Sequence, residues 1–465
     1  MASDLIAELR RALPDDAVLT DPDVVRSHAC DEADMCEHGT PAVLVRPRAT
    51  ADVAAVVRAA ARHGVPVVPQ GARTGLAGGA NAVDGAILLS LTAMDRILEI
   101  DSVNRIAVVQ PGVVNAALAR AVAERGLRYP PDPSSWETST IGGNVATNAG
   151  GMCCVKYGVT AEYVLALEVV LADGSVLRCG RRTPKGKAGY DLTRLFVGSE
   201  GTLGVITEIT LALRPAAEEA LTLVAVFPST AAAGAAVAAI AESRLTPSML
   251  ELLDQTHLRA IEAYRPMGLR TDAKALLLVA ADTGPRAAAD LERIAELCAA
   301  AGADEVYAAT DATEAAALLE ARRLAYPAME HLAARTFPDG VGGLIVDDIA
   351  VPRSQLAPLL DGIEKIAEEY GVPIGVVGHA GDGNLHPKFI VNRADPASVA
   401  RGRAVFDAVM SLGLSLGGTC TGEHGIGLLK REWLAEEIGP VGVRVHQAIK
   451  RALDPTGLLN PGKVL

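Results

Sequence analysis

Aromatic residues, long apolar runs and basic clusters are all scarce in this sequence. Phenylalanine, tyrosine and tryptophan together make up 3% of the 465 residues. The most apolar window, residues 231–241, is much shorter than the roughly 20 residues that a membrane-spanning helix needs. The net charge is −13, and lysine and arginine are scattered along the chain without forming a basic stripe. The sequence therefore predicts no membrane span and no nucleic-acid partner.

Cysteine usage points to a reducing compartment. There are seven cysteines, an odd number, with no CxxC pair and no secretory signal before them. This pattern argues against a disulfide framework, a zinc ribbon or an iron–sulfur cluster in this chain. We expect a cytoplasmic protein, with attachment to the inner face of the membrane through partners as an open alternative.

The length of the chain and its pattern of strand-like and helical runs predict several domains. A chain of 465 residues exceeds one ordinary hydrophobic core. From residue 220 onward, strand-like and helical runs alternate in a repeated β-α-β pattern, which predicts a ferredoxin-like antiparallel sheet with helices on one face. The predicted domains are residues 1–216, residues 217–413, and a C-terminal segment, 414–465, that returns to the first domain.

A hairpin around an Asp-Gly pair is the stretch around which the site is predicted. Apolar runs flank Gly378–His386, and with Asp382 and Gly383 as the two central turn residues, His379 would lie opposite His386. Cβ atoms about 5 Å apart on one face would let both imidazoles bind one metal ion. The alternative is a pair of ordinary strand histidines near a turn.

Three glycine-rich runs, at 71–79, 141–151 and 198–206, are predicted to be loops that bind a large ligand. Each is attached to a strand, and such runs allow backbone N–H groups to surround a phosphate or a polar ring. The first run matches neither the dinucleotide fingerprint nor the P-loop. A surface loop remains an alternative for each run taken alone, but the three together favour one extended cofactor.

Glu423 and His424 lie between glycines late in the chain. Adding Glu423 to His379 and His386 gives a two-histidine, one-carboxylate set with an open position, which is typical of a catalytic metal site. Zinc is the first expectation, with manganese or iron(II) as alternatives. His424 is a candidate general base, the alternative being a loop histidine without a role.

Seven motifs in order resemble one family. They are PQGARTGLAGGA, PPDPSS, IGGNVATNAGG, GYDLTRLFVGSEGTLGVIT, GHAGDGNLHP, GTCTGEHGIG and LDPTGLLNPGK. Together they are similar to the FAD-linked D-2-hydroxyacid dehydrogenases, which include glycolate oxidase flavin subunits, D-lactate dehydrogenases and D-2-hydroxyglutarate dehydrogenases. The resemblance implies an α+β fold: a two-part FAD-binding domain of the vanillyl-alcohol-oxidase (PCMH) type with a ferredoxin-like cap.

The same resemblance implies the cofactor residues. The first run would hold the FAD pyrophosphate, and the later runs would line the flavin and the rest of the cofactor. The residues implied are Gln70, Gly71, Ala72, Arg73, Thr74, Gly75, Gly78, Gly79, Pro131, Asp132, Ser135, Gly142, Gly143, Asn148, Gly151, Glu200, Gly201, Ile206 and Asn460.

We expect the FAD to be bound non-covalently. Some related flavoproteins attach the cofactor through a histidine in the first glycine run, and residues 69–80 contain none. Precipitation of the protein with trichloroacetic acid should release all the yellow colour into the supernatant. Colour retained in the washed pellet would contradict this expectation.

Substrate recognition is expected from Arg322, which matches the family's carboxylate-binding arginine on the helix after the repeat. An arginine pair on a solvated helix face is the alternative for Arg322 and Arg323. The hydroxyglutarate enzymes carry a lysine on the strand where this chain reads LIVDD at 344–348, so a small acid such as D-lactate or glycolate is expected. Lys388 follows His386 by two residues on the same strand face and could supply that charge instead.

The resulting hypothesis is hydride transfer from a small 2-hydroxy acid to FAD, with a metal-assisted site and His424 as base. Electrons would leave to a quinone, a cytochrome, an electron-transfer flavoprotein or an iron–sulfur partner subunit. A non-catalytic FAD-binding subunit and an O₂-using oxidase remain alternatives, and a homodimer is left open.

Overall fold

A computed structural model describes residues 2–34, 36–338 and 341–465. Contacts divide the chain into two compact units. The first unit comprises residues 1–150, 158–216 and 423–465, and the second comprises residues 151–157 and 217–422. Residues 151–157 thus belong to the second unit. The second unit ends at Gly422, and the chain returns to the first unit at Glu423. The division into domains at 1–216, 217–413 and 414–465 stays a prediction.

Both units contain helices and strands. The helices are α1 (Ala2–Ala12), α2 (Pro22–Arg26), α3 (Thr50–His63), α4 (Asn115–Ala123), α5 (Ile141–Thr147), α6 (Cys154–Tyr157), α7 (Leu192–Phe196), α8 (Thr230–Glu242), α9 (Gln255–Tyr264), α10 (Ala287–Ala300), α11 (Ala312–Arg323), α12 (Ala325–Thr336), α13 (Leu356–Tyr370), α14 (Pro396–Ser415) and α15 (Arg431–Leu453). The strands are β1 (Val18–Leu19), β2 (Val43–Val45), β3 (Val67–Gln70), β4 (Ile87–Ser90), β5 (Ile97–Asp101), β6 (Ile106–Val109), β7 (Leu127–Arg128), β8 (Val164–Val170), β9 (Val176–Gly180), β10 (Val205–Ala212), β11 (Arg214–Pro215), β12 (Leu221–Phe227), β13 (Met249–Asp254), β14 (Ala275–Ala281), β15 (Glu305–Ala308), β16 (Gly342–Val346), β17 (Ile349–Ala350), β18 (Ile374–His379) and β19 (Asn384–Asn392).

The first unit contains two larger sheets, each with its own core. In the order β1-β2-β4-β3, strands β2, β4 and β3 are parallel, and their apolar residues are buried because α1 and α3 pack in the same core. The other sheet is antiparallel in the order β5-β6-β10-β8-β9, and residues of α4, α5 and α7 join its core. This confirms the two α+β halves implied by the resemblance.

The second unit confirms the ferredoxin-like pattern. The elements β12-α8-β13, then β14-α10-β15 form an antiparallel sheet in the order β15-β12-β14-β13, with α9 inserted between β13 and β14. Strands β17, β18 and β19 with α13 and α14 repeat this order, and a bridge between Ala350 and Thr419 takes the place of the fourth strand. The two copies join where β13 pairs with β18.

The prediction of helices on one face only is wrong. On one face, Gly234 of α8 lies against Ala357 of α13, and Gly402 of α14 lies against Val391. Residues of α9, α11 and α12 pack in a core that includes Ile390 on the opposite face. Neighbouring residues of β19 point to opposite faces, so the sheet is covered on both sides. Among the described residues, no helix has the length and hydrophobicity needed to cross a membrane.

Candidate active site

The predicted hairpin exists, but its predicted register is wrong. Residues 380–382 form a 3₁₀ turn, and Gly383 adopts a φ of 75° after it. His379 therefore pairs with Asn384, and His386 pairs with Val377. The observed partner of His386 is thus two residues away from the predicted partner, His379. Because side chains along a strand alternate with a period of two, both histidines still share one face of the sheet. Their ring centroids are 5.1 Å apart and the rings are nearly perpendicular.

Glu251 of β13 lies against the first of these histidines. Pairing of Leu252 with Gly378 places Glu251 opposite His379 when the register continues by one residue. His379 Nδ1 is 2.8 Å from Glu251 Oε1, and the side chain of Glu251 is fully buried. Burial opposes its ionisation, but the charges and hydrogen bonds of His379 and Arg322 prevail, so the pKa of Glu251 lies below its ordinary value.

Arg322 is buried, so it does not lie on a solvated helix face. It lies near the end of α11 with 5% of its surface exposed, whereas Arg323 is exposed. Its Nε donates to Glu251 Oε2 at 2.7 Å. Among the described residues, no hydrogen bond is made by its terminal nitrogens, Nη1 and Nη2. The two nitrogens that form an end-on fork for a carboxylate are thus not used by the protein.

Asp348 lies near the second histidine, but beyond hydrogen-bond distance of its Nδ1. Its Oδ1 is 3.6 Å from His386 Nδ1 and accepts a hydrogen bond of 2.7 Å from Asn384 Nδ2. Its Oδ2 accepts bonds of 2.7 Å from Thr421 Oγ1 and 2.9 Å from the Gly422 N–H. One buried carboxylate therefore joins the hairpin to the chain that leads into residue 423.

Sequence reasoning missed Glu251 and Asp348 as site residues. A signal was available for Glu251, because it is a charged residue inside the apolar strand MLELLD, in which every residue is buried. A buried charge in such a strand needs a partner. The sequence offers no sign of which partner, since the chain separates residue 251 from residues 322 and 379.

Lys388 points from the same face of β19 into the interior. It lies opposite Gly375, and its Nζ is 3.4 Å from Nε2 of His257, whose Nδ1 is 2.8 Å from Asp254 Oδ1. Burial and the charge of Arg322 lower the pKa of Lys388 to about 7. Burial and the charge of Lys388 lower the pKa of His257 to about 4.

Glu423 and His424 belong to the first unit as the contacts divide it. A side chain at Gly150 would collide with Glu423, so the close approach of this segment to the end of the second glycine run depends on a glycine. Covalent connection keeps Glu423 next to Gly422. The roles of Glu423 as ligand and of His424 as base stay predictions.

The first glycine run follows β3 and has no helix, as expected. A side chain at Gly71 would collide with Thr140, and one at Gly79 would come within 2.8 Å of Glu200 Oε2. Arg73 Nη1 donates to the backbone oxygens of Ser27 and Cys30 at 2.7 and 3.2 Å. The guanidinium thus holds the loop to the preceding segment.

The second glycine run is a helix, which corrects the prediction of three loops. Its first seven residues form α5, capped by Thr140, whose Oγ1 accepts from the Gly143 N–H at 3.3 Å. Asn148 ends the helix in the left-handed conformation, and its Oδ1 accepts from the Ala161 N–H at 2.8 Å. The sequence suggested a loop because glycine and asparagine are poor helix formers, but tertiary contacts override that preference.

Residues predicted to bind FAD are enriched in unusual backbone conformations. Among the described residues, six non-glycine residues have a positive φ, and four of them are Arg73, Asn148, Glu200 and Asn460. Such conformations cost about 1–3 kcal/mol each and cluster at ligand sites. The enrichment supports a ligand-binding role for these loops.

Buried polar atoms in the first unit also fit a cofactor. Among the described residues, no hydrogen-bond partner exists for Gln70 Oε1, Ser139 Oγ, Asn144 Nδ2 and Asn460 Oδ1. A buried group without a partner costs about 1–3 kcal/mol. A large ligand with many polar groups, such as FAD, fits atoms of this kind, and Gln70 and Asn460 are among the residues expected to bind it.

Other predicted cofactor residues occupy varied positions. Pro131 accepts from Asn115 Nδ2 through its backbone oxygen at 3.0 Å, and Ile206 is buried within β10. Gly142 packs so closely on Pro111 that no side chain would fit. Gly151 falls in the second unit. The cofactor contacts of these residues stay predictions, as do those of Ala72, Thr74, Gly75, Gly78, Asp132, Ser135, Gly143 and Gly201.

Glu200 connects three loops of the first unit. Its carboxylate accepts from the Ile426 and Gly427 N–H groups at 2.7 and 2.9 Å, and its backbone oxygen accepts from Asn460 Nδ2 at 2.7 Å. Burial raises the pKa of Glu200 to about 7 despite the two amide hydrogen bonds. Sequence reasoning placed Glu200 near the cofactor but did not foresee this joining role.

This shifted pKa predicts a pH-dependent stability. In the folded chain the Glu200 carboxyl stays protonated up to about pH 7, whereas in the unfolded chain it ionises near pH 4.5. The folded state therefore binds more protons in this window, and the contribution of Glu200 to the free energy of unfolding falls by about 3 kcal/mol as pH rises through it.

Urea unfolding of the wild type and of Glu200→Gln at several pH values measures this effect. The free energy of unfolding of the wild type minus that of Glu200→Gln should decrease as pH rises from 4.5 to about 7. Above that pH the difference should stay constant. Glu208→Gln, on β10, is the matched control. A difference independent of pH would contradict the assignment.

The histidine pair fits a divalent metal ion. When His379 is neutral, an ionised Glu251, which can only accept, would hold the imidazole proton on Nδ1 and leave Nε2 as a lone-pair donor. A carboxylate on the far nitrogen is the usual arrangement around metal-binding histidines. His386, with Asp348 near its Nδ1, has the same chemistry available.

Comparison with known proteins identifies the family. Residues 41–180 match the family model described as FAD binding domain, and residues 216–464 match the model described as FAD linked oxidases, C-terminal domain. Glycolate oxidase subunit GlcD of Bacillus subtilis is 43% identical over 426 residues, which cover 91% of this chain and 89% of that protein. D-lactate dehydrogenase of Anaerostipes hadrus is 36% identical over 458 residues, which cover 96% and 94%.

Solved structures agree on the fold. p-Cresol methylhydroxylase has a TM-score of 0.81 at 18% identity, over 99% of this chain and 96% of that chain. 4-Ethylphenol oxidase from Gulosibacter chungangensis has a TM-score of 0.78 at 22% identity, over the same shares. The fold is therefore the α+β fold of the vanillyl-alcohol-oxidase type. By its matched domains and its relatives, the chain belongs to the FAD-linked oxidases of the glycolate oxidase and D-lactate dehydrogenase group and is an FAD-linked oxidoreductase.

Proposed function

We propose that this protein oxidises a small D-2-hydroxy acid, D-lactate or glycolate, to the 2-oxo acid. The relatives named glycolate oxidase subunit and D-lactate dehydrogenase support this substrate class. The observation that carries the proposal is the grouping of Arg322 and His379 on Glu251, beside His386, on one face of the second unit's sheet. An anion-binding fork next to two potential metal ligands suits an acid with a neighbouring hydroxyl.

The reaction removes a hydride from C2 and a proton from the hydroxyl, so that the C–H and O–H bonds break and a C=O bond forms. When bound, FAD supplies the two-electron acceptor, and a divalent ion supplies Lewis-acid polarisation. The Nη1 and Nη2 atoms of Arg322 would hold the substrate carboxylate in a two-bond fork, which fixes the orientation of the C2–H bond.

His379, His386 and Glu423 are the proposed metal ligands, with zinc as the first candidate and manganese or iron(II) as alternatives. Two imidazoles and one carboxylate leave a position open for substrate. Support for Glu423 comes from its place in the chain, because Asp348 lies 3.6 Å from His386 Nδ1 and accepts from the N–H of Gly422, the residue before Glu423.

His424 is the proposed general base for the hydroxyl proton. Imidazole titrates near neutral pH, and His424 lies between Glu423 and Gly425 in a glycine-rich segment. Its position directly after a proposed ligand supports this role.

D-2-hydroxyglutarate is a second candidate substrate, favoured by Lys388. A lysine that is 4% exposed and near Arg322 offers a second positive group for a second carboxylate. The absence of a lysine from residues 344–348 favours the small acids instead.

The electron acceptor is proposed to be a quinone, a cytochrome, an electron-transfer flavoprotein or an iron–sulfur partner subunit. The name of the Bacillus subtilis relative, which describes a subunit, supports assembly with partners. A cytoplasmic location, with attachment to the membrane face through such partners, fits this proposal, and a homodimer remains a second form of assembly.

Anaerobic reduction of the flavin tests the function. The holoprotein is mixed with D-lactate, glycolate, D-2-hydroxyglutarate and L-lactate, and bleaching of the flavin absorbance is followed. D-lactate or glycolate should bleach it fastest and L-lactate should not. Reoxidation by air is then compared with reoxidation by a quinone or dye. Absence of bleaching by every acid would refute the proposal.

A further inference from the structure

Glu251 holds two groups that belong to different parts of the proposed site. One carboxylate oxygen, Oε1, is 2.8 Å from His379 Nδ1, and the other, Oε2, accepts from Arg322 Nε at 2.7 Å. The three residues come from β13, α11 and β18 and are all buried. No family model or relative's name assigns a role to Glu251.

We propose that Glu251 is a positioning residue that couples the metal site to the substrate-carboxylate site. This inference rests on the proposed function and deepens it. Through Oε1 it fixes the ring of His379 and the proton on Nδ1, so that Nε2 is presented as a ligand. Through Oε2 it fixes the plane of the Arg322 guanidinium, so that Nη1 and Nη2 are presented to an anion.

The geometry makes both functions depend on one ionised side chain. A carboxylate offers lone pairs to both donors, whereas a carboxamide offers one oxygen and, on its other arm, an NH₂ group that repels a second donor. The bidentate contact specifies orientation in addition to charge.

Glu251→Gln is the main test, with Glu320→Gln as the matched control. Glu320 lies on the surface of α11 and pairs with Arg265, so it undergoes the same chemical change outside the site. The Kd for Zn²⁺, measured on metal-stripped protein by competition with a chelator, should rise roughly 10- to 100-fold in Glu251→Gln. The KM for the best acid should rise roughly 10-fold or more. Glu320→Gln should change neither.

Two further variants separate this inference from the proposed function. Arg322→Ala should raise the KM, whereas Arg323→Ala, at the exposed neighbouring position, should not. If the wild type binds no Zn²⁺ and Arg322→Ala leaves the KM unchanged, the proposed function fails. If the wild type binds Zn²⁺ and Arg322→Ala raises the KM, but Glu251→Gln alters only one of Kd and KM, or neither, the coupling is refuted while the proposed function stands.

A measurement on the unaltered chain covers the case in which Glu251→Gln does not fold. In metal-free protein labelled with ¹⁵N-histidine, at an alkaline pH where imidazole is neutral, the His379 signals should show the Nδ1–H tautomer. His379→Asn assigns those signals. An Nε2–H tautomer would overturn the inference, because Nε2 could then not be held ready as a ligand.

Discussion

His424→Ala should lower kcat by about 10²–10⁴-fold while FAD remains bound, because a general base contributes that much to proton transfer. The substrate hydroxyl must lose its proton as the hydride leaves C2. Without the imidazole that proton passes to water, which is a poor base at neutral pH. Steady-state turnover and the rate of anaerobic flavin reduction measure the loss, and the flavin absorbance measures the FAD content.

The pH dependence of the rate distinguishes loss of a general base from a structural effect of the substitution. A base must be unprotonated, so the wild-type rate should fall toward acidic pH, and the variant should lose that limb. His446→Ala is the control, since His446 is exposed on α15 and, among the described residues, its ring hydrogen-bonds only with the backbone oxygen of Gly442. Full turnover by His424→Ala with FAD retained would remove His424 from the mechanism.

Removal of the proposed metal ion should lower activity by roughly 10³-fold, because a Lewis acid at the substrate hydroxyl would stabilise the transition state by several kcal/mol. Treatment with EDTA followed by desalting should give inactive protein that still contains FAD. One equivalent of the native ion should restore activity, and elemental analysis identifies that ion.

His386→Ala should reproduce the loss and resist rescue, because one of three ligands is then missing. His38→Ala, which changes an exposed histidine, should bind the metal and turn over as the wild type does. A metal-free preparation with full activity would remove His379, His386 and Glu423 from the chemistry together.

Local pattern was sufficient for much of this architecture. The alternating strands and helices after residue 220 indicated the ferredoxin-like order because hydrophobic periodicity depends on each element alone. The two histidines share a face in the structure although the predicted turn was wrong. The error was two residues, and the period of a strand is also two, so the face survived the change in register.

The helix α5 and the second sheet face show where local pattern fails. Glycines in IGGNVATNAGG have low helix propensity, yet Thr140 caps the segment and Pro111 packs against Gly142. The extra helices α9, α11 and α12 cover a face that a single ferredoxin-like motif leaves open. Both outcomes depend on packing partners that are distant in the sequence.

The family motifs, the glycine runs, the histidine pair and the candidate arginine could all be recognised from the order of residues. The folded structure was needed to show that Arg322 is buried and Arg323 exposed, and that Glu251 and Asp348 lie near the two histidines. The reason is physical: a buried charge must be compensated, but the compensating group need only be near in space. Residues 251, 322 and 379 are in contact because strand pairing and helix packing bring them together. The spacing of these residues in the sequence does not predict that contact.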